Sequence, residues 1–324
     1  MATYVPTREQ YREYAARGNL IPVYREIIAD GDTPVSAYAK LGRREHSFLL
    51  EAVIAGEKWA AHSFIGVAPR IVFRAVGDRV LVTRRDIEGG GPDREISFVT
   101  ADPLATLADL LAEFRPEPPP GLPHFFGGAV GYVGFDVCRP RGGADARVGD
   151  DLGLPSCYLV VTDTLLVFDN LRQTVKVVAN SICPSRDRAD ACYDAACHRI
   201  DELARLLAGP APALRPLELD RPGPVPAVPA LAREDFRGAV SRARDHLAAG
   251  DAYQLVLSQR FEVERDGVDP LDLYRGLRAV NPSAYMFHLQ FPECAITGAS
   301  PECMVRLDGD VVTLRPFAGS PPRR

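Results

Sequence analysis

Apolar positions change their period several times along the chain, and each change predicts an element. Thr7-Arg8-Glu9-Gln10 has the form of a capping box and opens a short helix that ends near Gly18. Alternating and β-branched runs then predict strands at 21–27, 47–52, 62–67, 71–75 and 80–84, with Pro22 tolerated because the first of them lies at an edge. Residues 104–114 carry helical spacing. The run 158–169 reads as one long strand, joined to a second at 173–179 by the hairpin-length turn Asn170-Leu171-Arg172. A helix follows at 189–207, with Ile200, Leu203 and Leu207 on one face.

Beyond a proline-rich stretch the pattern resumes. Residues 234–249 form an amphipathic helix with Phe236, Val240, Ala243 and Leu247 on one stripe, acidic residues in its first turn and Gly250 at the C-cap position. Residues 253–264 alternate, placing Tyr253, Leu255, Leu257, Phe261 and Val263 on one side, which predicts a long half-buried strand. Asp269-Pro270 opens a second helix that stops at Asn281-Pro282. Strands at 285–290, 295–297 and 303–307 come next, and the Asp308-Gly309 turn leads into a last one at 311–315.

Strands joined by tight turns must be antiparallel. Helices are interspersed without strict βαβ alternation, so the pattern predicts an α+β fold, antiparallel β-sheets packed with helices, rather than a doubly wound parallel sheet. Seven prolines between Pro210 and Pro229 leave no ladder or helix intact there. The expected organisation is an N-terminal lobe at 1–208, a linker at 209–230 and a partial second domain at 231–324.

Composition narrows the function classes. A formal charge of −5, without a basic stripe, argues against a general nucleic-acid surface. No run approaches the roughly 18–20 apolar residues of a membrane span, and the N-terminus lacks the apolar core of a signal peptide. Seven scattered cysteines suggest reduced thiols and a cytoplasmic protein. Cys192, Cys197 and His198 lie close together, but their spacing fits no common zinc pattern and they fall within one helix.

Four groups of residues remain. Leu49-Leu50-Glu51 stands upstream of Gly56-Glu57-Lys58-Trp59 and Ser63-Phe64-Ile65-Gly66. Gly127 to Tyr132 is followed by Asp151-Leu152-Gly153-Leu154-Pro155. Gly250-Asp251-Ala252-Tyr253-Gln254 leads into Leu257-Ser258-Gln259-Arg260. Asn281 to Phe287 precedes Gly298-Ala299-Ser300-Pro301-Glu302 and the closing run from Arg315 to Ser320. Each block alone is a weak signal, because glycine-rich runs are common turns. Together, in this order, they resemble the large subunits (component I) of anthranilate synthases, within the chorismate-binding enzymes.

The resemblance implies a carbon–oxygen lyase of tryptophan biosynthesis. Such an enzyme converts chorismate and ammonia to anthranilate and pyruvate, with Mg2+ and with a glutamine amidotransferase subunit (component II) as partner. It implies the anthranilate/aminodeoxychorismate synthase-like fold, incomplete here at the C-terminus. Gly319 and Ser320 correspond to a chorismate-contacting Gly-Thr pair; glycine lets backbone N–H groups approach a carboxylate. Ala318 stands where aminodeoxychorismate synthases often carry a nucleophilic lysine, which favours free ammonia and the anthranilate branch.

Glu51 and Ala52, with Asn281, Ala284, Tyr285 and Met286, correspond to the family's tryptophan-effector motifs. Ala52 replaces a serine and Ala284 a proline, so tryptophan binding is expected to be weakened. The catalytic residues and magnesium ligands of the family are expected beyond residue 324, which leaves this chain inactive alone. Aminodeoxychorismate synthase, or another chorismate-using enzyme, is the alternative within enzymes. A truncated effector- or partner-binding module is the alternative outside them.

Overall fold

A computed structural model describes residues 3–41, 45–52, 62–87, 91–138, 152–218, 225–301 and 305–314. The chain divides into two compact units, Met1–Arg215 with Leu277–Arg324, and Pro216–Gly276. This division cuts across the boundaries that the prolines suggest. The physical reason is strand pairing: the segment after residue 277 hydrogen-bonds back into the sheet of the first unit.

In chain order the elements begin with α1 (Arg8–Tyr14), β1 (Leu20–Ile28), α2 (Pro34–Lys40), β2 (Ser47–Glu51), β3 (His62–Val67), β4 (Ile71–Val76) and β5 (Arg79–Arg84). They continue with β6 (Arg94–Val99), α3 (Pro103–Ala112), β7 (Ala129–Val133), β8 (Cys157–Val161), β9 (Thr164–Asp169), β10 (Thr174–Ile182) and α4 (Ala189–Leu207). Last come β11 (Val228–Pro229), α5 (Arg233–Ala249), β12 (Phe261–Glu262), α6 (Pro270–Val280), β13 (Tyr285–Gln290), β14 (Ala295–Ser300), β15 (Arg306–Asp308) and β16 (Val311–Thr313).

Among the described residues, two large sheets form the first unit. One runs in the order β1-β10-β9-β3-β2-β13-β14 and the other β6-β5-β4-β8-β7, and every pairing is antiparallel. Phe48, Leu165, Val167, Val178 and Leu289 of the first sheet pack against Val72, Tyr158 and Val160 of the second. On its other face the second sheet presents Ile71, Phe73, Val80, Val82 and Leu159 to Leu107, Leu110 and Leu111 of α3. The alternation of successive side chains builds both cores from the same strands. Helix α4 buries Cys192, Tyr193, Ala196, Ile200, Leu203 and Leu207 and lies along β10 and β1.

Local signals explain much of this. The Thr7–Gln10 capping box is formed at α1, and Gly250 closes α5 in the left-handed conformation at φ 83°. Two expectations fail. The run 158–169 is not one strand: it crosses between the sheets at Thr162-Asp163, with β8 in one and β9 in the other. The Asp163 carboxylate lies at that crossing, 2.6 Å from Arg70 Nη2 and 3.1 Å from Arg199 Nε.

The long strand at 253–264 is also absent. Within this run, among the described residues, only Phe261–Glu262 forms a strand, and Tyr253 and Val256 are 99% and 84% exposed. Alternation makes a strand only where a neighbouring strand takes up its backbone groups.

Candidate functional site

The site region grows from the pairing of β2 with β13. Their register sets Glu51 opposite Met286, Leu50 opposite Phe287 and Leu49 opposite His288. Two segments more than two hundred residues apart in sequence thereby meet side by side. Glu51 ends β2 with its side chain only 2% exposed. A carboxylate removed from water needs a cation, and Arg278 near the end of α6 supplies it, with Nε 3.2 Å from one carboxylate oxygen and Nη2 donating to the other at 3.3 Å. Arg278 itself is 39% exposed, so the pair opens to solvent on one side.

Ala52 follows Glu51 and is half-buried. Asn281 ends α6, its N–H donating to the Leu277 carbonyl at 2.8 Å, and is exposed. Ser283 is buried and its hydroxyl donates to the Ser300 carbonyl. Ala284 is half-buried, Tyr285 exposed and Met286 buried. The structure thus brings Glu51 together with Met286 across the ladder, and puts Asn281, Ala284 and Tyr285 on the approach to the same strand. Gly319 and Ser320 lie outside the described residues, as do Arg315 to Ala318 and the block from Gly56 to Trp59.

Behind Met286, His288 is buried, with Nδ1 2.9 Å from Thr297 Oγ1 and its ring edge-on to Tyr38 at 5.5 Å. Gly298 sits opposite Phe287, and a Cβ there would come within 2.2 Å of the phenyl ring. The glycine of that block is therefore explained by close packing.

Sequence reasoning missed two polar clusters. Asp163 with Arg70 and Arg199 is one. The other centres on His46, which adopts φ 62° just before β2 and is buried. Its Nδ1 lies 3.0 Å from Arg85 Nη2 and its Nε2 2.8 Å from the Tyr158 hydroxyl. Arginine only donates, so Nδ1 accepts and Nε2 carries the proton toward Tyr158. Burial, and then the Arg85 charge, push the imidazole down to about 4. No spacing rule marks either cluster, since their members come from segments distant in sequence.

Among the described residues no group of three His, Cys, Asp or Glu side chains could hold a metal ion. In α4, burial pushes the Cys197 thiol up to about 11, and His198 Nε2 is 3.2 Å from Glu202. No helix among the described residues is long and apolar enough to cross a membrane.

Comparison with known proteins adds the decisive observation. The sequence profile described as "chorismate binding enzyme" matches residues 58–324, most of the chain. The chain belongs to the chorismate-binding enzyme family. Component 1 of anthranilate synthase from Pseudomonas aeruginosa is 40% identical over 321 residues, covering 98% of this chain and 63% of that protein. The Acetivibrio thermocellus component 1 is 33% identical over 329 residues, covering 99% and 64%.

The crystal structure of anthranilate synthase component I from Streptococcus pneumoniae TIGR4 superposes with a TM-score of 0.61 at 28% identity, over 88% of this chain and 59% of that one. This chain therefore shares the α+β architecture of that component, and spans less than two thirds of the length of these relatives.

Proposed function

We propose that this chain supplies the effector lobe and the first part of the chorismate-binding domain of an anthranilate synthase component I. The whole protein would convert chorismate and ammonia to anthranilate and pyruvate. The observation that carries this reading is the match to component 1 proteins along nearly the whole chain, at 40% identity in one case. Chorismate carries two carboxylates, a ring hydroxyl and an enolpyruvyl ether. Addition of ammonia with loss of the hydroxyl, then elimination of pyruvate, requires both carboxylates to be neutralised and protons to be moved.

Gly319 and Ser320 are assigned to chorismate contact and Ala318 to the ammonia-using branch, on their place in the sequence. The partner is a glutamine amidotransferase subunit that supplies ammonia. Mg2+ is the proposed cofactor. The described residues do not form a site for it, so none of them is given a role toward the ion.

Tryptophan is the proposed effector, weakly bound. Ala52 and Ala284 stand in place of the family's serine and proline, and Glu51 is already ion-paired to Arg278. Aminodeoxychorismate formation is the competing outcome, and analysis of the products separates the two.

A further inference from the structure

The first unit contains a cleft of about 350 Å³ that none of these roles uses. It lies at the Val67 end of β3, whereas Glu51 adjoins the opposite end of that strand. One wall is a face of α4, where Arg199, Glu202, Leu203 and Leu206 follow the i, i+3, i+4, i+7 stripe. That face presents a cation, an anion and then two leucines in sequence. Val67 and Ile87 extend the apolar lining, and Asp163 closes the charged end.

The charged end is rigid. Asp163 is 1% exposed, and its two oxygens are held from both sides, by Arg70 at 2.6 Å and Arg199 at 3.1 Å. Arg199 is 10% exposed and so is fixed in orientation before any ligand arrives. Preorganised groups spend little entropy on binding. Glu202 stands on the rim, about half exposed and 3.2 Å from His198 Nε2. Arg205 also lines the cleft and is exposed.

We infer that this cleft binds a small zwitterion with an apolar side chain, the chemistry of an aliphatic or aromatic α-amino acid. The ligand's ammonium lies at Glu202, its carboxylate at Arg199, and its side chain against Leu203, Leu206 and Ile87. The size is at the lower end of the roughly 300–1,000 Å³ typical of small-molecule sites, which suits an amino acid better than a nucleotide. The charges of the lining residues have both signs, which disfavours a simple anion or a simple cation.

The test is calorimetric titration of the 324-residue protein with L-leucine and L-phenylalanine. Two controls accompany them: 4-methylpentanoate, which lacks the amine, and 3-methylbutylamine, which lacks the carboxylate. An amino acid is expected to bind about tenfold more tightly than either control. Glu202→Gln, at an exposed position, should weaken it about tenfold, and Leu206→Trp should abolish it by filling the cleft, with an unchanged melting temperature as the check on folding. Absence of binding, equal binding of the controls, or binding unaffected by Leu206→Trp would each overturn the inference. Binding lost in Tyr285→Ala but kept in Leu206→Trp would place the ligand at the other end of β3 and overturn it too.

Discussion

The Nε2 atom of His46 lies 2.8 Å from the hydroxyl of Tyr158, and this contact joins the two large sheets. His46 leads into β2 of one sheet and Tyr158 belongs to β8 of the other. Phe291, which follows β13, packs on the Tyr158 ring at 4.3 Å, and the Arg74–Glu293 ion pair at 2.8 Å spans the same seam.

A pH dependence follows from this contact. The folded-state value of about 4 for His46 lies below the ordinary 6.5, so the unfolded chain binds a proton that the folded protein refuses. Stability is lost as pH falls below 6.5, and the loss is complete below about 4. The full span amounts to about 3 kcal/mol, of which about 2 kcal/mol is lost by pH 5. Asparagine tolerates the left-handed backbone at this position and does not titrate. Urea unfolding at pH 7 and pH 5 should show the wild type losing about 2 kcal/mol more than His46→Asn; equal losses would contradict the assignment.

The Asp163 carboxylate, clamped between Arg70 and Arg199, should be costly to remove. Truncation takes the carboxylate away from two largely buried guanidinium groups, and breaking such a pair costs about 3–5 kcal/mol. Chemical denaturation of Asp163→Ala should show a loss of that order, with Asp163→Asn milder. A loss below about 1 kcal/mol would mean that the crossing between the sheets does not depend on this charge.

Much of this architecture was legible from residue order alone. The capping box at Thr7, the glycine stop at Gly250 and the strand at 62–67 are local signals, and they locate α1, the end of α5 and β3. What was not legible depends on distant partners. Nothing within 158–169 tells that Asp163 meets Arg70 and Arg199, so the switch between sheets could not be read there. Strand β6, whose residues are all exposed, was missed although Ile96 and Phe98 alternate with Glu95 and Ser97, because so short an alternation does not stand out without a buried face. Of the site, the motifs of β2 and β13 could be found in the sequence, whereas their pairing and the Glu51–Arg278 contact required the fold.

Tryptophan should stabilise this protein little. The hydroxyl that a serine would offer at Ala52 is missing, and Glu51 is already engaged by Arg278. In a thermal-shift titration, sub-millimolar tryptophan should leave the melting temperature nearly unchanged, and Ala52→Ser combined with Ala284→Pro should increase the response. A rise of several degrees in the unmodified chain would contradict the weakened site.

The second unit should limit solubility. Helix α5 buries none of its residues, so Val240 and Leu247 of its apolar stripe face solvent, as do Tyr253 and Val256. Apolar surface of this kind drives association. Val240→Glu with Leu247→Lys should raise the soluble fraction on expression and leave the pH-dependent unfolding set by His46 intact. No gain in solubility would show that this stripe is not the cause.

Under the proposed function, the whole protein is an ammonia-using, anthranilate-forming chorismate enzyme. The most direct test is product analysis of the full-length protein encoded by the gene, given chorismate, ammonium and Mg2+. Anthranilate and pyruvate are expected in equal amounts; accumulation of aminodeoxychorismate without pyruvate would contradict the proposed function.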